Sequence, residues 1–195
     1  PGTTVSYLTN AGEVALKGLE LEGTLIPVDG WKIQATYSYM ESDYKKFIEN
    51  SNNLPGKPLI DTSSNKRQGY APKNTFALNI DGRLAKTPWG TLRGILDYTY
   101  TDSMYLYSCN VSMALPTAAG SYLCSGVKLP STETLNARLL LAGVPIGGPG
   151  AADISLWVKN LTNEDKRIQG IDFGMFRTAN WQEPRTYGLS FNYKW

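Results

Sequence analysis

Large apolar or aromatic residues alternate with small or polar residues along much of this chain. The clearest case closes the sequence, where Tyr187, Leu189, Phe191, Tyr193 and Trp195 are separated by glycine, serine, asparagine and lysine. Successive side chains of a β-strand point to opposite faces, so these five residues share one face of a strand. A soluble sandwich would bury that face, whereas an outer-membrane barrel would turn it to lipid. The terminal strand alone leaves both architectures open.

The same alternation recurs along the chain and predicts seven strands. Short turns near residues 29, 88 and 148 alternate with long loops near residues 58, 120 and 172. Several of the strands exceed the roughly 9 to 11 residues that cross a bilayer. Outer-membrane barrels combine short periplasmic turns with long external loops. We therefore expect an all-β fold, an antiparallel transmembrane barrel segment whose C-terminal strand ends at the periplasmic rim. The predicted strands cover residues 5–27, 30–46, 70–86, 89–107, 132–145, 151–162 and 183–195.

The opposite face of the predicted strands is polar over its whole length, which favours a wet lumen over the surface of a compact soluble sheet. The alternation assigns Phe76, Leu78, Leu96, Tyr98, Leu189, Phe191 and Tyr193 to lipid, and Asn79, Arg83, Arg93, Asp97 and Asn192 to water.

Composition narrows the function classes. The chain is 42% hydrophobic and 11% aromatic but only 18% charged, with 12 tyrosines, and this balance favours β structure. A net charge of +2 implies no nucleic-acid partner. No apolar run approaches the roughly 18 residues of a membrane-spanning helix. Histidine is absent, which removes the commonest general base and zinc ligand. We therefore expect neither an enzyme nor a resident cofactor or metal.

The two cysteines predict a disulfide. Cys109 and Cys124 bracket a polar segment of small residues, an arrangement that suits an exported protein in an oxidising compartment. Two thiols alone do not build a metal site.

Two charged pairs carry alternative interpretations. Glu20 and Glu22 lie on one strand face about 7 Å apart by strand rise, within reach of a glycosidase carboxylate pair, or they are solvated carboxylates of a lumen. Arg93 and Asp97 either select a charged substrate or join a ladder of charges with neighbouring strands.

The long loops hold the candidate ligand contacts. Aromatic stacking and charge are what a receptor loop offers a solute, although the same residues also suit an interfacial aromatic belt with loop charges. The candidates are Lys66, Arg67, Tyr105, Tyr107, Arg167 and Trp181.

Four short patterns stand in order along the chain: KGLELE (17–22) followed by YSY (37–39), APKNT (71–75) after LPG (54–56), WVKNLTN (157–163), and PRTYGL (184–189). Together they resemble the C-terminal part of the barrel of a TonB-dependent outer-membrane receptor. Trp195 departs from that family, which commonly ends in phenylalanine.

The resemblance implies a roughly 22-stranded barrel, of which this chain supplies seven strands without the N-terminal plug and without the segment that engages TonB. It implies energised uptake of a scarce solute such as siderophore-bound iron, a cobalamin-like compound or an oligosaccharide. The implied partners are outer-membrane lipid, TonB, the barrel assembly machinery, which would read the terminal aromatic strand, and an unidentified small molecule. The alternatives are a structural or adhesive β-domain and a small passive porin-like barrel.

Overall fold

The computed structural model describes residues 12–50, 58–112, 123–172 and 177–195. Within them the chain is mostly strand, with a single 3-10 turn at Ser63–Asn65 and a four-residue helix, α1, at Cys124–Val127. No helix of the described residues has the length and apolar character needed to cross a membrane. In chain order the strands are β1 Gly12–Leu25, β2 Trp31–Asn50, β3 Leu59–Asp61, β4 Lys66–Arg67, β5 Asn74–Thr87, β6 Gly90–Thr101, β7 Met104–Tyr105, β8 Cys109–Asn110, β9 Lys128–Leu129, β10 Thr132–Pro145, β11 Ala151–Lys159, β12 Arg167–Asp172, β13 Arg177–Trp181 and β14 Thr186–Lys194.

The seven long strands form one sheet in the order β1-β2-β5-β6-β10-β11-β14. Each long strand therefore pairs with the next long strand along the chain. The pairings from β2 to β14 are antiparallel. This up-and-down order is the one that closes into barrels. The all-β class and the seven long strands expected from the alternation are confirmed.

The chain divides into two compact units. The sheet unit comprises Gly18–Met40, Pro72–Met104 and Leu129–Trp195. The loop unit consists of the described residues within Pro1–Lys17, Glu41–Ala71 and Tyr105–Lys128. It takes in most of the two segments that the sequence assigns to the first and second long loops.

The fourth predicted strand is shorter than expected, because it ends at Thr101 and not at residue 107. Asp102 stops it. One carboxylate oxygen of Asp102 accepts from the Asn74 side chain at 3.0 Å, and the other accepts from the Ser103 backbone N–H at 2.8 Å. A short acidic side chain that binds nearby donors in this way competes with continuation of the ladder.

The second strand is longer than expected, because it runs to Asn50 and not to residue 46. The additional residues at the end of this strand pair with β3 in the loop unit. The first predicted long loop thus contains β3 and β4, and the third predicted long loop contains the hairpin of β12 and β13. The first strand is seen from Gly12 to Leu25, and residues 5–11 lie outside the described residues.

Cross-strand register determines which side chains share a face. One row of directly opposed residues is Ile33, Ile80, Leu96, Ala137, Val158 and Tyr187. The neighbouring row, one residue along, is Gln34, Asn79, Asp97 and Asn136. We call the side of the sheet that carries the first row the apolar face, and the side that carries the second row the polar face. The residues that the alternation assigns to lipid and to water fall on these two faces respectively.

The apolar face is not covered by other described residues of the sheet unit. Leu189 is 72% exposed, and Leu156 and Phe191 are each 59% exposed. A groove of ≈ 620 Å³ crosses this face between Trp31 and Tyr187. Removing apolar surface from water is favourable by about 25 cal/mol per Å², and this face would forgo that free energy if it stayed in water. Large contiguous apolar patches of this kind mark membrane or protein contacts. The sheet is therefore built for an apolar surrounding on one side.

Candidate functional sites

Lys66 belongs to the loop unit, and its side chain is only 6% exposed. Its Nζ donates to Glu49 Oε2 at 3.2 Å and lies 4.4 Å from the centroid of the Phe47 ring. The Thr62 hydroxyl donates to the other oxygen of Glu49 at 2.7 Å. A nearly buried ion pair of this kind depends on both partners, because removing one leaves the other charge uncompensated. Lys66 therefore orders the loop unit, and its contact with a solute would require the pair to open.

Arg67, Tyr105 and Tyr107 are more accessible members of the same unit. Arg67 is exposed, and both tyrosines are half-buried. Gly69 forms a parallel bridge with Tyr105, and a Cβ placed on Gly69 would lie 2.7 Å from the backbone carbon of Tyr107. The segments carrying the three side chains are thus neighbours, and close approach at Gly69 keeps them so. Guanidinium and phenol side chains on neighbouring segments suit an anionic or aromatic solute.

The predicted disulfide is confirmed. Cys109 and Cys124 are bonded, with their Cα atoms 5.0 Å apart, and both residues are buried. A second tie lies close by, where Asn65 Nδ2 donates to the Ser112 carbonyl at 2.7 Å and Asn65 Oδ1 accepts from the Ser112 N–H at 3.0 Å. The Asn65 side chain takes the place of a strand partner, and together with the disulfide it holds the loop segments to each other.

Asp61 is a loop-unit residue that the sequence did not single out. Its Oδ1 accepts from the backbone N–H of Ser63 at 2.9 Å and from that of Phe47 at 3.1 Å. These hydrogen bonds, the one from Ser63 first, hold the pKa of the Asp61 carboxyl below its usual value. The carboxylate thereby joins the end of β3 to the extension of β2.

Arg167 and Trp181 lie in the sheet unit, on the hairpin of β12 and β13. They are directly opposite each other, so their side chains share one face of the hairpin. Trp181 is 58% exposed. The six predicted contact residues therefore fall into two groups, four in the loop unit and two on this hairpin.

Charges on the polar face pair between strands. Arg93 Nε and Nη2 both donate to Asp81 Oδ1, at 3.0 and 2.7 Å. Asn79 Nδ2 donates to Asp97 Oδ1 at 2.6 Å. Arg93 and Asp97 each bind a residue of β5, as the ladder interpretation expects. The Arg93 and Asp81 side chains are 30% and 31% exposed, so the pair contributes about 1 kcal/mol or less.

The turn between β1 and β2 is tied to β5. Gly30 adopts φ +86°, which the Asp-Gly sequence allows, and the Trp31 N–H donates to the Val28 carbonyl at 3.1 Å. Arg83 Nη2 donates to Asp29 Oδ2 at 2.7 Å. That hydrogen bond and the charge of Arg83 lower the pKa of Asp29. The short turn is therefore held in one position at its end of the sheet.

Glu20 and Glu22 are both exposed on β1. Both line a hollow of ≈ 310 Å³ with Thr36 and Ser38, and Glu22 also lines a hollow of ≈ 330 Å³ with Thr36 and Gln34. Hydroxyl and amide neighbours give both carboxylates a polar surrounding, as expected for solvated carboxylates of a lumen. The described residues contain no group of three or more histidine, cysteine, aspartate or glutamate side chains that could hold a metal ion.

The terminal strand pairs with β11 over its whole length. Leu189 is opposite Leu156, and Phe191 is opposite Ile154, on the apolar face. The rings of Tyr193 and Trp195 have centroids 6.0 Å apart. The aromatic end of the strand is thus exposed on the apolar side, while its role as an assembly signal stays a prediction.

Comparison with known proteins agrees with this geometry. A family model described as TonB dependent receptor-like, beta-barrel, matches residues 1–161. The chain belongs to the TonB-dependent receptor β-barrel family. Members of this family lie in the bacterial outer membrane, which supplies the apolar surrounding that the sheet requires. No curated protein matches the chain.

Two solved receptor structures share the fold. The ferric yersiniabactin uptake receptor FyuA from Yersinia pestis is 21% identical with a TM-score of 0.62, over 93% of this chain and 24% of the receptor. The siderophore receptor PiuA from Acinetobacter baumannii is 19% identical with a TM-score of 0.63, over 93% of this chain and 22% of the receptor. This chain thus spans less than a quarter of each receptor's length.

Proposed function

We propose that this chain is the C-terminal portion of the barrel of an outer-membrane receptor that imports a scarce solute by TonB-dependent transport. The observation that carries the proposal is a seven-stranded antiparallel sheet with one uncovered apolar face and one hydrogen-bonded polar face. Such a sheet placed alone in hydrocarbon would leave edge N–H and C=O groups unpaired, each costing several kcal/mol. Further strands of the same protein therefore complete the barrel.

The proposed orientation places the short turns in the periplasm and the long loops outside. Outer-membrane barrels are built with this asymmetry. The turn at Asp29 and Gly30 then lies on the periplasmic side with the C-terminus, and the long loops near residues 58, 120 and 172 are extracellular.

The proposed solute contacts are Arg67, Tyr105 and Tyr107 in the loop unit and Arg167 and Trp181 on the hairpin, with Lys66 contributing when its ion pair opens. Cationic and aromatic side chains together recognise anionic, ring-bearing molecules. A siderophore complex of iron is the first candidate, because the structural neighbours are named as a ferric yersiniabactin uptake receptor and a siderophore receptor. A cobalamin-like compound and an oligosaccharide are the other candidate solutes.

A plug upstream of these strands would fill the polar lumen, and a periplasmic segment would engage TonB. The lumen side presents Glu20, Asp81, Arg93 and Arg138, which would otherwise line an open aqueous pore. We propose that the barrel assembly machinery recognises the terminal aromatic strand.

Transport assays with the full-length gene test the proposal. Cells carrying the gene should accumulate radiolabelled iron from a ferric siderophore panel, and accumulation should stop when TonB is deleted or a protonophore is added. Trp181→Ala should weaken uptake more than Thr178→Ala, a change at another exposed residue of the same hairpin.

Other results would replace the proposal. Solute entry that continues without TonB would indicate a passive porin-like barrel. A product that is soluble without detergent and transports nothing would indicate a structural or adhesive β-domain.

A further inference from the structure

Alternation does not by itself determine how the terminal strand β14 pairs with β11. A slip of one residue would move every apolar side chain to the wrong face, and the membrane would oppose it. A slip of two residues restores the faces, because the side-chain period of a strand is two. Leu156 would then face Tyr187 or Phe191 instead of Leu189, still on the apolar face. A separate device must therefore select the observed register.

The turn that follows β11 is organised by Asn160, which is 3% exposed and has φ +49°. Its Nδ2 donates to the carbonyls of Glu164 and Glu183, both at 2.9 Å. Its Oδ1 accepts from the Glu164 N–H at 2.9 Å. One side chain therefore joins the end of β11 to the residues that lead into β14.

The same turn is tied to β10 on its other side. The Asn160 N–H donates to Asn136 Oδ1 at 2.9 Å, and the Leu161 N–H donates to the Leu135 carbonyl at 2.7 Å. Asn163 Oδ1 accepts from the Arg185 N–H, immediately before β14, at 3.3 Å. The first residues of β14 are thus placed relative to two strands.

A second feature that distinguishes the observed register from a slipped one lies between β11 and β14, on the polar face. The Trp157 ring covers Gly188, and a Cβ added to Gly188 would lie 2.5 Å from that ring. Trp157 Nε1 donates to Ser190 Oγ at 3.0 Å. In a slip of two residues, Trp157 would stand over Thr186 or Ser190, whose Cβ atoms occupy the space that the glycine leaves open.

We propose that Asn160 is a positioning residue which, together with the Trp157–Gly188 contact, selects the register of the terminal strand during barrel assembly. This inference goes beyond solute uptake, because it concerns how the barrel closes correctly. Its readout is a cross-strand distance, so it can fail while the transport proposal stands.

Disulfide trapping in outer-membrane vesicles that contain the full-length receptor tests the inference. Asp153 and Asn192 are directly opposite, so D153C/N192C reports the native register. S155C/N192C and A151C/N192C report slips of two residues in the two directions, and none of these pairs replaces Ser190. In the otherwise unchanged protein the native pair should cross-link predominantly.

The two turn asparagines provide a matched comparison. N160D removes the two Nδ2 donations and puts a carboxylate oxygen against two carbonyls, whereas N163D keeps the oxygen that accepts from Arg185. In N160D the ratio of slipped to native cross-link should rise about tenfold or more, because each lost hydrogen bond shifts an equilibrium several-fold. N163D should retain the ratio of the unchanged protein. G188A should raise the ratio, and G23A should not, since a Cβ at Gly23 meets nothing within 4 Å.

An unchanged ratio in N160D would overturn the role of Asn160, and equal increases in N160D and N163D would reduce it to a general effect of charge in the turn. If N160D does not reach the membrane, the same ratio is scored in N160G, which tolerates the positive φ and adds no charge. A ratio in N160G equal to that of the unchanged protein then overturns the inference.

Discussion

The two units of this chain differ in what they bury. The loop unit buries Leu106 together with Asn65 and the charged Lys66, beside a disulfide, whereas the sheet unit leaves Leu156 and Leu189 more than half exposed. A soluble protein normally buries its large apolar side chains and exposes its charged ones. The loop unit is therefore stabilised by specific polar partners and a covalent bond, and the sheet unit by pairing of strands and by its surroundings.

This difference has a physical consequence. In the sheet unit each strand obtains its hydrogen bonds from a neighbour and its apolar contacts from outside the chain, so alternation is enough to specify the faces. In the loop unit, stability depends on individual partners, and single substitutions should therefore have sharply different effects according to whether the side chain is buried.

The largest effect is expected at Lys66. Lys66→Met leaves the Glu49 carboxylate, 12% exposed, without its cation, and breaking a buried pair typically costs about 3 to 5 kcal/mol. The loop unit should lose protection from hydrogen exchange and proteolysis while the sheet unit keeps it. Lys45→Met is the matched control, because Lys45 and its partner Asp43 are 49% and 67% exposed, and such surface pairs contribute about 0.2 to 1 kcal/mol. Equal effects of the two changes would contradict the comparison between buried and exposed pairs.

The sheet unit should be most sensitive on its apolar face. Leu96→Arg puts a charge where the proposal expects lipid, which costs about 2 to 4 kcal/mol at a bilayer midplane. Thr99→Arg on the same strand is the control, since Thr99 lies opposite Ala77 and Thr134 on the polar face. Folded fraction in detergent or lipid, read from heat-modifiable gel mobility, measures both. A larger loss in Thr99→Arg would reverse the assignment of the faces.

The disulfide should stabilise the loop unit alone. Closing a loop of about 15 residues restricts the unfolded chain by roughly 3 kcal/mol in the entropic description. Reduction, or the double change C109S/C124S, should therefore accelerate hydrogen exchange around β8 and α1 and leave β10 and β11 unchanged. Mass spectrometry of alkylated protein verifies that both thiols are free in the reduced sample. Unaltered exchange in the loop unit would show that the hydrogen bonds of Asn65 suffice without the disulfide.

The sequence predicted the structure best where the two-residue alternation of strand side chains determines it. The side-chain faces of β5, β6, β10 and β14 follow from alternation, because a face is a property of every second residue. Strand ends were less accessible, since they depend on single side chains such as Asp102, which accepts from Asn74 twenty-eight positions away. The hairpin of β12 and β13 was missed because Gly170 and Asp172 interrupt its apolar pattern.

Candidate contacts were predicted by residue type, which says nothing about burial. Lys66 and Arg67 are adjacent in sequence, yet one is nearly buried on Glu49 and the other is exposed. Asn160 was visible only as part of the WVKNLTN pattern. Its positive φ and its reach to Glu183 depend on a contact 23 residues away, which a single sequence does not display.

The smallest effect is expected at Asp61, where pH tests the loop unit without a mutation. The folded-state pKa of Asp61 is lowered from 3.8, mainly by the backbone hydrogen bond from Ser63 and then by that from Phe47. A lowered pKa means that the unfolded chain takes up the proton first as pH falls. The contribution of Asp61 is therefore complete above pH 3.8 and is lost as pH falls through the lower folded-state pKa. Hydrogen exchange between about pH 5 and about pH 2 should show weakening protection of the Ser63 and Phe47 N–H groups relative to the Asn65 N–H, which donates to the Thr62 carbonyl at 2.9 Å. In D61N the difference between these amides should no longer depend on pH, and a persisting pH dependence would assign the titration to another group.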